Sequence, residues 1–334
     1  MHAHRDPHSP PRRRSTRRFA IFAALVLIPT TFAAASATAG GPAFSDWSTA
    51  DKIDTINGNS EAINSDSVDG CPIQAPDGLS LYIASNRPGG HGGLDIWMST
   101  RPHRGDSWGA PVNLPAPINS AAADFCPTPI EGHGLFFVSS RSIPDVTCGM
   151  GDIYFARRNP AQGWSEPEHL ACAPDGPNSV LDEQGPSFVQ GQLYFSRSAP
   201  AVPGVSPGVP GDLFVSSATG EGFGPATAIT ELNDAGANDI QPNVRKDGRE
   251  LVFSSNRGGG AGGQDIWSST RSSADAPWSA PVNITSVNTG YGESRPSLSN
   301  DAQQLLFGRA GPMGTGEGGT GLSDVHVATR QRNP

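Results

Sequence analysis

The stretch DIQPNVRKDGRELVFSSNRGGGAGGQDIWSSTR, Asp239 to Arg271, decides the fold because its pattern occurs five times in the chain. Each copy has an acid three residues before a proline, a hairpin turn, an apolar strand that leads to an arginine, a Gly-rich loop, and an aspartate followed by apolar residues. Equivalent landmarks are 52 to 60 residues apart. Five copies at so regular a spacing indicate an architecture built from repeated units.

Four of these landmarks recur in every copy in the same order. The acids are Asp69, Asp124, Glu183, Asp239 and Glu293. The prolines are Pro72, Pro127, Pro186, Pro242 and Pro296. The arginines are Arg87, Arg141, Arg197, Arg257 and Arg309. The aspartates after the Gly-rich loop are Asp95, Asp152, Asp212, Asp265 and Asp324.

A second motif lies between the copies and is offset from them by one. It reads WSAPVNI at Trp278 and has counterparts at Trp108, Trp164 and Phe223. A fifth counterpart, WSTADKI at Trp47, precedes the first full copy, and none follows the last. The prolines of this motif predict an outer edge strand, because proline is tolerated in a sheet mainly at an edge.

Four strands per repeat, covered on both faces and ending in a proline-marked edge, predict blades around a central channel. The fold class is therefore an all-β, five-bladed β-propeller with four-stranded antiparallel blades. The N-terminal WSTADKI motif completes the last blade and closes the ring. An open β-solenoid with ragged ends is the alternative. The predicted blades span approximately residues 65–120, 121–179, 180–234, 235–289, and 290–334 plus 43–56 of a domain covering 40–334.

Residues 1–39 are predicted to be an export signal. Arg12 to Arg18 form a basic segment, Phe19 to Ile28 an apolar segment of ten residues, and Ala37 to Ala39 a small-residue cleavage site. An uncleaved anchor is the alternative, although the apolar segment is too short to span a bilayer. The pair Arg17-Arg18 leaves both the general and the twin-arginine export routes open.

Composition excludes several classes of function. Beyond the signal the chain has 17 Lys and Arg against 31 Asp and Glu, a net charge of −14, which disfavours binding to nucleic acid. Gly and Pro together account for 72 of 334 residues, which disfavours long helices.

All four cysteines lie in the exported part, where disulfides persist. The hairpin pattern places Cys148 and Cys172 at opposite ends of one blade hairpin, so we predict a disulfide between them. Cys71 and Cys126 precede the strand prolines of adjacent blades and form the second predicted pair. Two buried thiols are the alternative for that pair, because neighbouring inner strands can stand too far apart for a disulfide.

The acids and arginines are the candidate site. The midpoint between acid and arginine falls in the turn of each hairpin, for example in Ala75 to Gly78 and in Lys246 to Gly248. Each acid should therefore face its arginine near the channel mouth and form an ion pair. The ten residues of this ring either lock the first two strands of each blade together or bind a ligand at the mouth.

The repeats resemble those of the TolB-type, WD-repeat-like propeller family. The resemblance rests on LYIASNRPGGHGGLDIW, Leu81 to Trp97, and LVFSSNRGGGAGGQDIW, Leu251 to Trp267, and it covers essentially the whole exported part. TolB-like proteins have a separate domain before the propeller, and related envelope proteins have a peptidoglycan-binding domain after it; the chain shows neither pattern. The resemblance implies a stand-alone propeller that binds a partner.

We therefore expect a non-enzymatic binding or scaffold module in the periplasm or outside the cell. Its ligand, a protein or a glycan, should meet the face of the Gly-rich loops and the acid–arginine ring. No cofactor, metal, nucleic acid or membrane contact after signal removal is expected, and the chain should be a monomer.

The alternative is a five-bladed glycoside hydrolase that uses Asp69, Asp124 and Glu183 on the inner strands of the first three blades. Against it, the matched arginine should lower the pKa of each acid and make it a poor proton donor. The acids also obey the repeat, whereas a catalytic set should depart from it.

Overall fold

A computed structural model describes residues 43–58, 63–199, 208–310 and 323–333. The predicted export signal lies outside the described residues, and so do the centres of the long loops of the third and fifth blades, residues 200–207 and 311–322. Among the described residues, no helix is long and apolar enough to cross a membrane.

The chain forms five antiparallel sheets in sequence order, so the predicted five-bladed β-propeller is confirmed. The first strand, β1 (Asp51–Lys52), and a 3-10 helix (Ile53–Gly58) precede the first complete sheet. Blade 1 contains β2 (Asp69–Gln74), β3 (Ser80–Ser85), β4 (Asp95–Thr100) and β5 (Val112–Asn113). Blade 2 contains β6 (Asp124–Ile130), β7 (Gly134–Ser139), β8 (Asp152–Asn159), β9 (Gly163–Trp164) and β10 (Glu168–His169).

The other three blades repeat this order. Blade 3 contains β11 (Asp182–Val189), β12 (Gln192–Ala199), β13 (Val209–Thr219), β14 (Gly222–Phe223) and β15 (Thr227–Ala228). Blade 4 contains β16 (Ile240–Val244), β17 (Glu250–Ser255), β18 (Asp265–Thr270) and β19 (Val282–Asn283). Blade 5 contains β20 (Gly292–Leu298), β21 (Gln304–Ala310) and β22 (Ser323–Thr329), and β1 completes it.

Blades 2 and 3 differ from the predicted four strands by one short strand each. Their third strands, β8 and β13, are longer than those of the other blades, and β9 and β14 pair with the extra length. The physical reason is a tight turn at residues 160–162 and 220–221 that continues the third strand as a small hairpin.

The apolar second strands form the core between blades. Strands β7 and β17 are buried along their whole length, as expected when both faces of a strand are covered by neighbouring sheets. Phe137, Phe253 and Phe307 have no exposed surface. The outermost strands are only two residues long, and in blades 1 to 4 they follow the prolines of the second motif. Short edge strands protect the sheet edges from further pairing.

The N-terminal segment closes the ring, as predicted. Asp51 lies opposite Val327 and Lys52 opposite His326 in an antiparallel pair. The Ser48 amide donates to the Thr329 carbonyl at 2.8 Å. Trp47 is buried against the last blade, with the guanidinium of Arg330 4.2 Å from its ring. The two ends of the chain are therefore held together by hydrogen bonds and apolar packing.

An asparagine fastens the start of every blade to the third strand of the preceding one. The Asn119 side chain accepts from the Ile96 amide at 2.8 Å and donates to the Ile96 carbonyl at 2.9 Å. The same arrangement joins Asn64 to Val325, so it spans the closure as well. Its other members are Asn178, Asn233 and Asn288. These amides are structural links between blades.

Candidate functional site at the channel mouth

The acid–arginine ring lies at one end of the channel. Each carboxylate is fully buried and within ion-pair distance of its arginine. The pairs and their N–O distances are Arg87–Asp69 2.5 Å, Arg141–Asp124 2.8 Å, Arg197–Glu183 2.8 Å, Arg257–Asp239 2.5 Å and Arg309–Glu293 2.8 Å. Each carboxylate also accepts from the connection that enters its blade, so it ties that connection to the hairpin.

We call each ion pair between a repeat acid and its arginine a lock. The five locks are of two kinds. In blades 1, 2 and 4 the acid is aspartate, and the arginine comes after the end of the second strand. In these blades a serine of the second strand lies at, or next to, the position opposite the aspartate. In blades 3 and 5 the acid is glutamate, and the arginine stands directly opposite it inside the second strand, as Arg197 opposite Glu183. The pair Arg309 and Glu293 has the same register. The longer side chain, glutamate, therefore occurs in the two blades whose arginine lies inside the second strand rather than after it.

Glu183 and Glu293 have nearly identical hydrogen bonds. Arg197 Nε and Arg309 Nε each donate at 2.8 Å. The Ser179 amide and hydroxyl donate to Glu183 at 3.1 and 2.6 Å. Those of Thr289 donate to Glu293 at 3.1 and 2.5 Å. The two glutamates therefore have equivalent hydrogen-bond donors and can be compared within one molecule.

Burial raises the pKa of Glu183 to about 7, although hydrogen bonds from Ser179 and Arg197 act in the opposite direction. Arg197 does lower the pKa of Glu183 as expected, but burial outweighs it, so the expectation that the arginine makes this acid a poor proton donor is wrong for Glu183. The physical reason is that removing the carboxylate from water disfavours its charged form more than the two donors favour it. Glu183 can hold a proton near neutral pH.

Sequence reasoning did not assign two further acids of blade 3 to the site, because it used Asp212 only as a repeat landmark and did not single out Asp182. Asp182 and Asp212 are partly exposed, and burial raises the pKa of each. Asp239 of the next blade raises the pKa of Asp212 further, and no hydrogen bond or ion pair to the Asp212 carboxylate is found among the described residues. Its counterparts do have partners, for example Lys52 on Asp324 at 2.7 Å. The only sequence signal was that Asp182 stands directly before the repeat acid.

A second ring lies on the channel axis, two residues after each acid. Every inner strand has a β-bulge at this point, and the residue there has a left-handed backbone. The five residues and their φ angles are Cys71 47°, Cys126 47°, Gly185 58°, Gln241 56° and Arg295 60°. The backbone conformation is therefore the same in all five blades, whereas the residue is cysteine in blades 1 and 2, glycine in blade 3, glutamine in blade 4 and arginine in blade 5. We call these five residues the axial ring.

Both predicted disulfides are present. Cys71 and Cys126 join blades 1 and 2 within the axial ring, with Cα atoms 4.8 Å apart, so the neighbouring inner strands are close enough to be bridged. Cys148 and Cys172 have Cα atoms 5.9 Å apart. His169 lies beside this second pair, with a ring nitrogen within 4.8 Å of both sulfurs. Its Nε2 is 2.9 Å from Oδ2 of Asp152. Because both sulfurs are in a disulfide, neither is a thiolate able to bind a metal ion. Two disulfides are consistent with an exported protein.

Comparisons with known proteins support the propeller fold. No family model matches the sequence, and no curated protein matches it. The catalytic domain of a GH62 alpha-L-arabinofuranosidase from Coprinopsis cinerea is similar, with a TM-score of 0.50, 14% identity, and coverage of 87% of this chain and 98% of that one. An alpha-L-arabinofuranosidase from Podospora anserina in complex with cellotriose has a TM-score of 0.51 and 12% identity, with coverage of 88% and 98%.

A putative TolB from Agrobacterium tumefaciens also matches, at a TM-score of 0.45 and 12% identity, covering 80% of this chain and 91% of that one. A score this low carries no argument for the TolB-type assignment. The expectation of a non-enzymatic scaffold rested on that analogy and is corrected by the similarity to glycoside hydrolase propellers. The error came from taking a partner-binding role from a repeat motif, since a fold supports several functions.

Proposed function

We propose that the chain is a glycoside hydrolase with its active site at the channel mouth and Glu183 as the general acid. The observation that carries this proposal is the complete burial of the Glu183 carboxyl, which raises its pKa to about 7. Hydrolysis of a glycosidic bond needs a carboxylic acid that keeps its proton near the working pH and gives it to the leaving oxygen.

A second, ionised carboxylate is required beside the acid. Asp69 and Asp124 are proposed for this role because Arg87 and Arg141 hold them as ion pairs on the two preceding blades. The carboxylate either attacks the anomeric carbon or activates water, while Glu183 protonates the departing oxygen.

The proposal requires movement at the mouth. Asp69, Asp124 and Glu183 have no exposed surface in this structure. A bound sugar can reach Glu183 only if the connection from Ser179 to Asp182 moves away, which breaks the two hydrogen bonds donated by Ser179. The lost hydrogen bonds would be offset by contacts with the sugar, as in other enzymes whose loops move on substrate binding.

The substrate is proposed to be a glycan with alpha-L-arabinofuranosyl groups, by analogy with the two similar structures. The test is release of reducing sugar from arabinan, xylan and arabinoxylan by the purified exported part of the chain. Hydrolysis should fall by roughly 10²–10⁴ in E183Q, the range typical of general acid catalysis. Absence of hydrolysis by the wild-type protein on a broad glycan panel would refute the proposal.

The matched control is E293Q in blade 5. Glu293 has the same hydrogen bonds as Glu183, so both substitutions disturb an equivalent lock. E293Q should keep most of the activity, whereas equal losses in the two variants would show that the locks matter only for folding. D69N and D124N, measured in the same assay, identify the second carboxylate.

Export is part of the proposal. Residues 1–39 would direct the chain to the periplasm or beyond the cell, where the two disulfides form. We also propose that the repeats are of the TolB type at the level of sequence, on the strength of the motifs at Leu81 to Trp97 and Leu251 to Trp267.

A further inference from the structure

Arg295 is the one axial-ring residue that carries a charge, and nothing in the proposed hydrolysis uses it. Its Nε is buried and has no hydrogen-bond partner in the part of the chain that the structure describes. Among the described residues, no carboxylate lies within ion-pair distance of its guanidinium. By contrast, the five arginines of the acid–arginine ring each hold a buried carboxylate.

The surroundings of Arg295 are arranged to receive its side chain. A Cβ atom on Gly70 of blade 1 would lie 2.5 Å from Nη1 of Arg295, so the guanidinium occupies space that only glycine leaves free. The Arg295 amide donates to the Ser254 hydroxyl of blade 4 at 3.0 Å. The residue therefore reaches from blade 5 to both neighbours and stands at the axis.

The backbone at this position disfavours arginine. Its φ is 60°, a conformation that costs energy for any residue with a side chain and that glycine adopts freely, as Gly185 does at the same place in blade 3. Such outliers persist where the surrounding structure enforces them, and they are concentrated at ligand sites. Burial without a compensating acid also lowers the pKa of Arg295.

The adjoining cavity is small and contains no competing charge. Its volume is about 30 Å³, room for roughly two water molecules. Its lining includes the Cys71–Cys126 disulfide, Gln241 and Arg295, and Arg295 is the only charged residue among the described residues that line it. Burying the Nε donor without a hydrogen-bond partner is costly, and a small anion in a cavity of this size would supply that partner.

We propose that Arg295 and the axial cavity form a binding site for a small, singly charged anion, either an inorganic halide or the carboxylate of an acidic sugar. The guanidinium would donate through the nitrogens that have no protein partner, and charge-assisted hydrogen bonds of this kind favour an anion over a neutral ligand. The inference does not depend on whether the chain hydrolyses a glycan.

The test uses chloride as the probe. The width of the ³⁵Cl NMR signal is measured at constant ionic strength with the wild-type protein and with R295Q. Wild-type protein should broaden the signal more than R295Q does, with affinity for chloride falling by roughly tenfold or more in the variant. Equal broadening by the two proteins would overturn the proposal.

Competition separates the two sources of anion. If D-glucuronate reduces the broadening and D-glucose does not, the site accepts a sugar carboxylate. If neither sugar competes, the site is specific for an inorganic anion, and both results support the proposal.

A second variant tests the same site in case R295Q fails to fold. G70S keeps the arginine but places a side chain where Nη1 now lies, and only the flexible end of Arg295 has to move. It should lose the excess broadening while retaining the wild-type circular dichroism spectrum. Retention of full broadening in G70S would contradict the placement of the anion beside Gly70.

Discussion

Blades 3 and 5 contain the same glutamate–arginine lock but differ in the charge that surrounds it. Around Glu183 there are two further acids, Asp182 and Asp212, and burial raises the pKa of all three carboxyls. Two residues after Glu293 stands a cation, Arg295, that has no ion-pair partner in the described part of the chain, while Lys52 neutralises Asp324. The repeat therefore fixes the lock in both blades, and residues outside the repeat pattern decide what each blade can do.

Blade 5 also differs because it is completed by the other end of the chain, and the largest predicted effect tests this. Deleting residues 43–53 removes Trp47 and strand β1 from the last blade. We expect a loss of at least ~3–5 kcal/mol in unfolding free energy, the usual cost of removing one buried Trp side chain. Urea denaturation measures it, and an unchanged midpoint would contradict closure of the ring by this segment.

Removing the arginine of a lock should leave a buried carboxylate without its counterion. R309M is expected to destabilise the protein by ~3–5 kcal/mol, because the partner carboxylate remains buried without its cation. R197M should cost a similar amount at pH 8 but less at pH 5, where Glu183 takes up a proton. Denaturation of both variants at the two pH values provides the comparison. A loss in R197M that is independent of pH would contradict the raised pKa of Glu183.

Glu183 should also make the wild-type stability depend on pH. Its folded pKa of about 7 exceeds the ordinary value of 4.5, so the folded state binds the proton more tightly. This contribution is fully present below pH 4.5 and is lost as the pH rises through 7, in total on the order of 3 kcal/mol. E183Q, which stays neutral, should lack the decline. Parallel pH profiles of wild type and E183Q would refute the assignment.

The smallest effect concerns the axial ring. R295G should stabilise the protein by roughly 1 kcal/mol, because glycine adopts the left-handed backbone without strain and the substitution removes a half-buried cation that has no acid partner among the described residues. Thermal unfolding in a buffer free of small anions measures the change. A loss of stability larger than that of R309M would mean that Arg295 is a structural lock and would remove the contrast between the two rings.

Much of the fold could be predicted from the sequence. The five copies of the acid, proline, arginine and aspartate landmarks gave the number of blades, and the displaced motif at Trp47 gave the closure. The Cys148–Cys172 disulfide followed from hairpin geometry, and the Cys71–Cys126 pair followed from equivalent positions on adjacent blades, where two buried thiols had been the alternative. These features depend on spacing along the chain, which a sequence displays directly.

The electrostatic character of the site could not be predicted in the same way. The sequence pairs Glu183 with Arg197, but it does not show that burial outweighs that pairing. Nor does it show that the Asp212 carboxylate has no hydrogen bond or ion pair among the described residues, although Arg197 lies opposite it on the neighbouring strand. The axial ring was visible only as a changeable position two residues after each acid, and its significance depends on the bulge that brings the five positions together.

The most direct test of the account is the pH dependence of kcat/KM for arabinan hydrolysis by wild type, E183Q and E293Q. We predict that the rate falls above pH about 7 in wild type and in E293Q, as the proton of Glu183 is lost, and that this limb is absent from the residual activity of E183Q. The same descending limb in E183Q, or its disappearance in E293Q, would contradict the assignment of Glu183 as the proton donor.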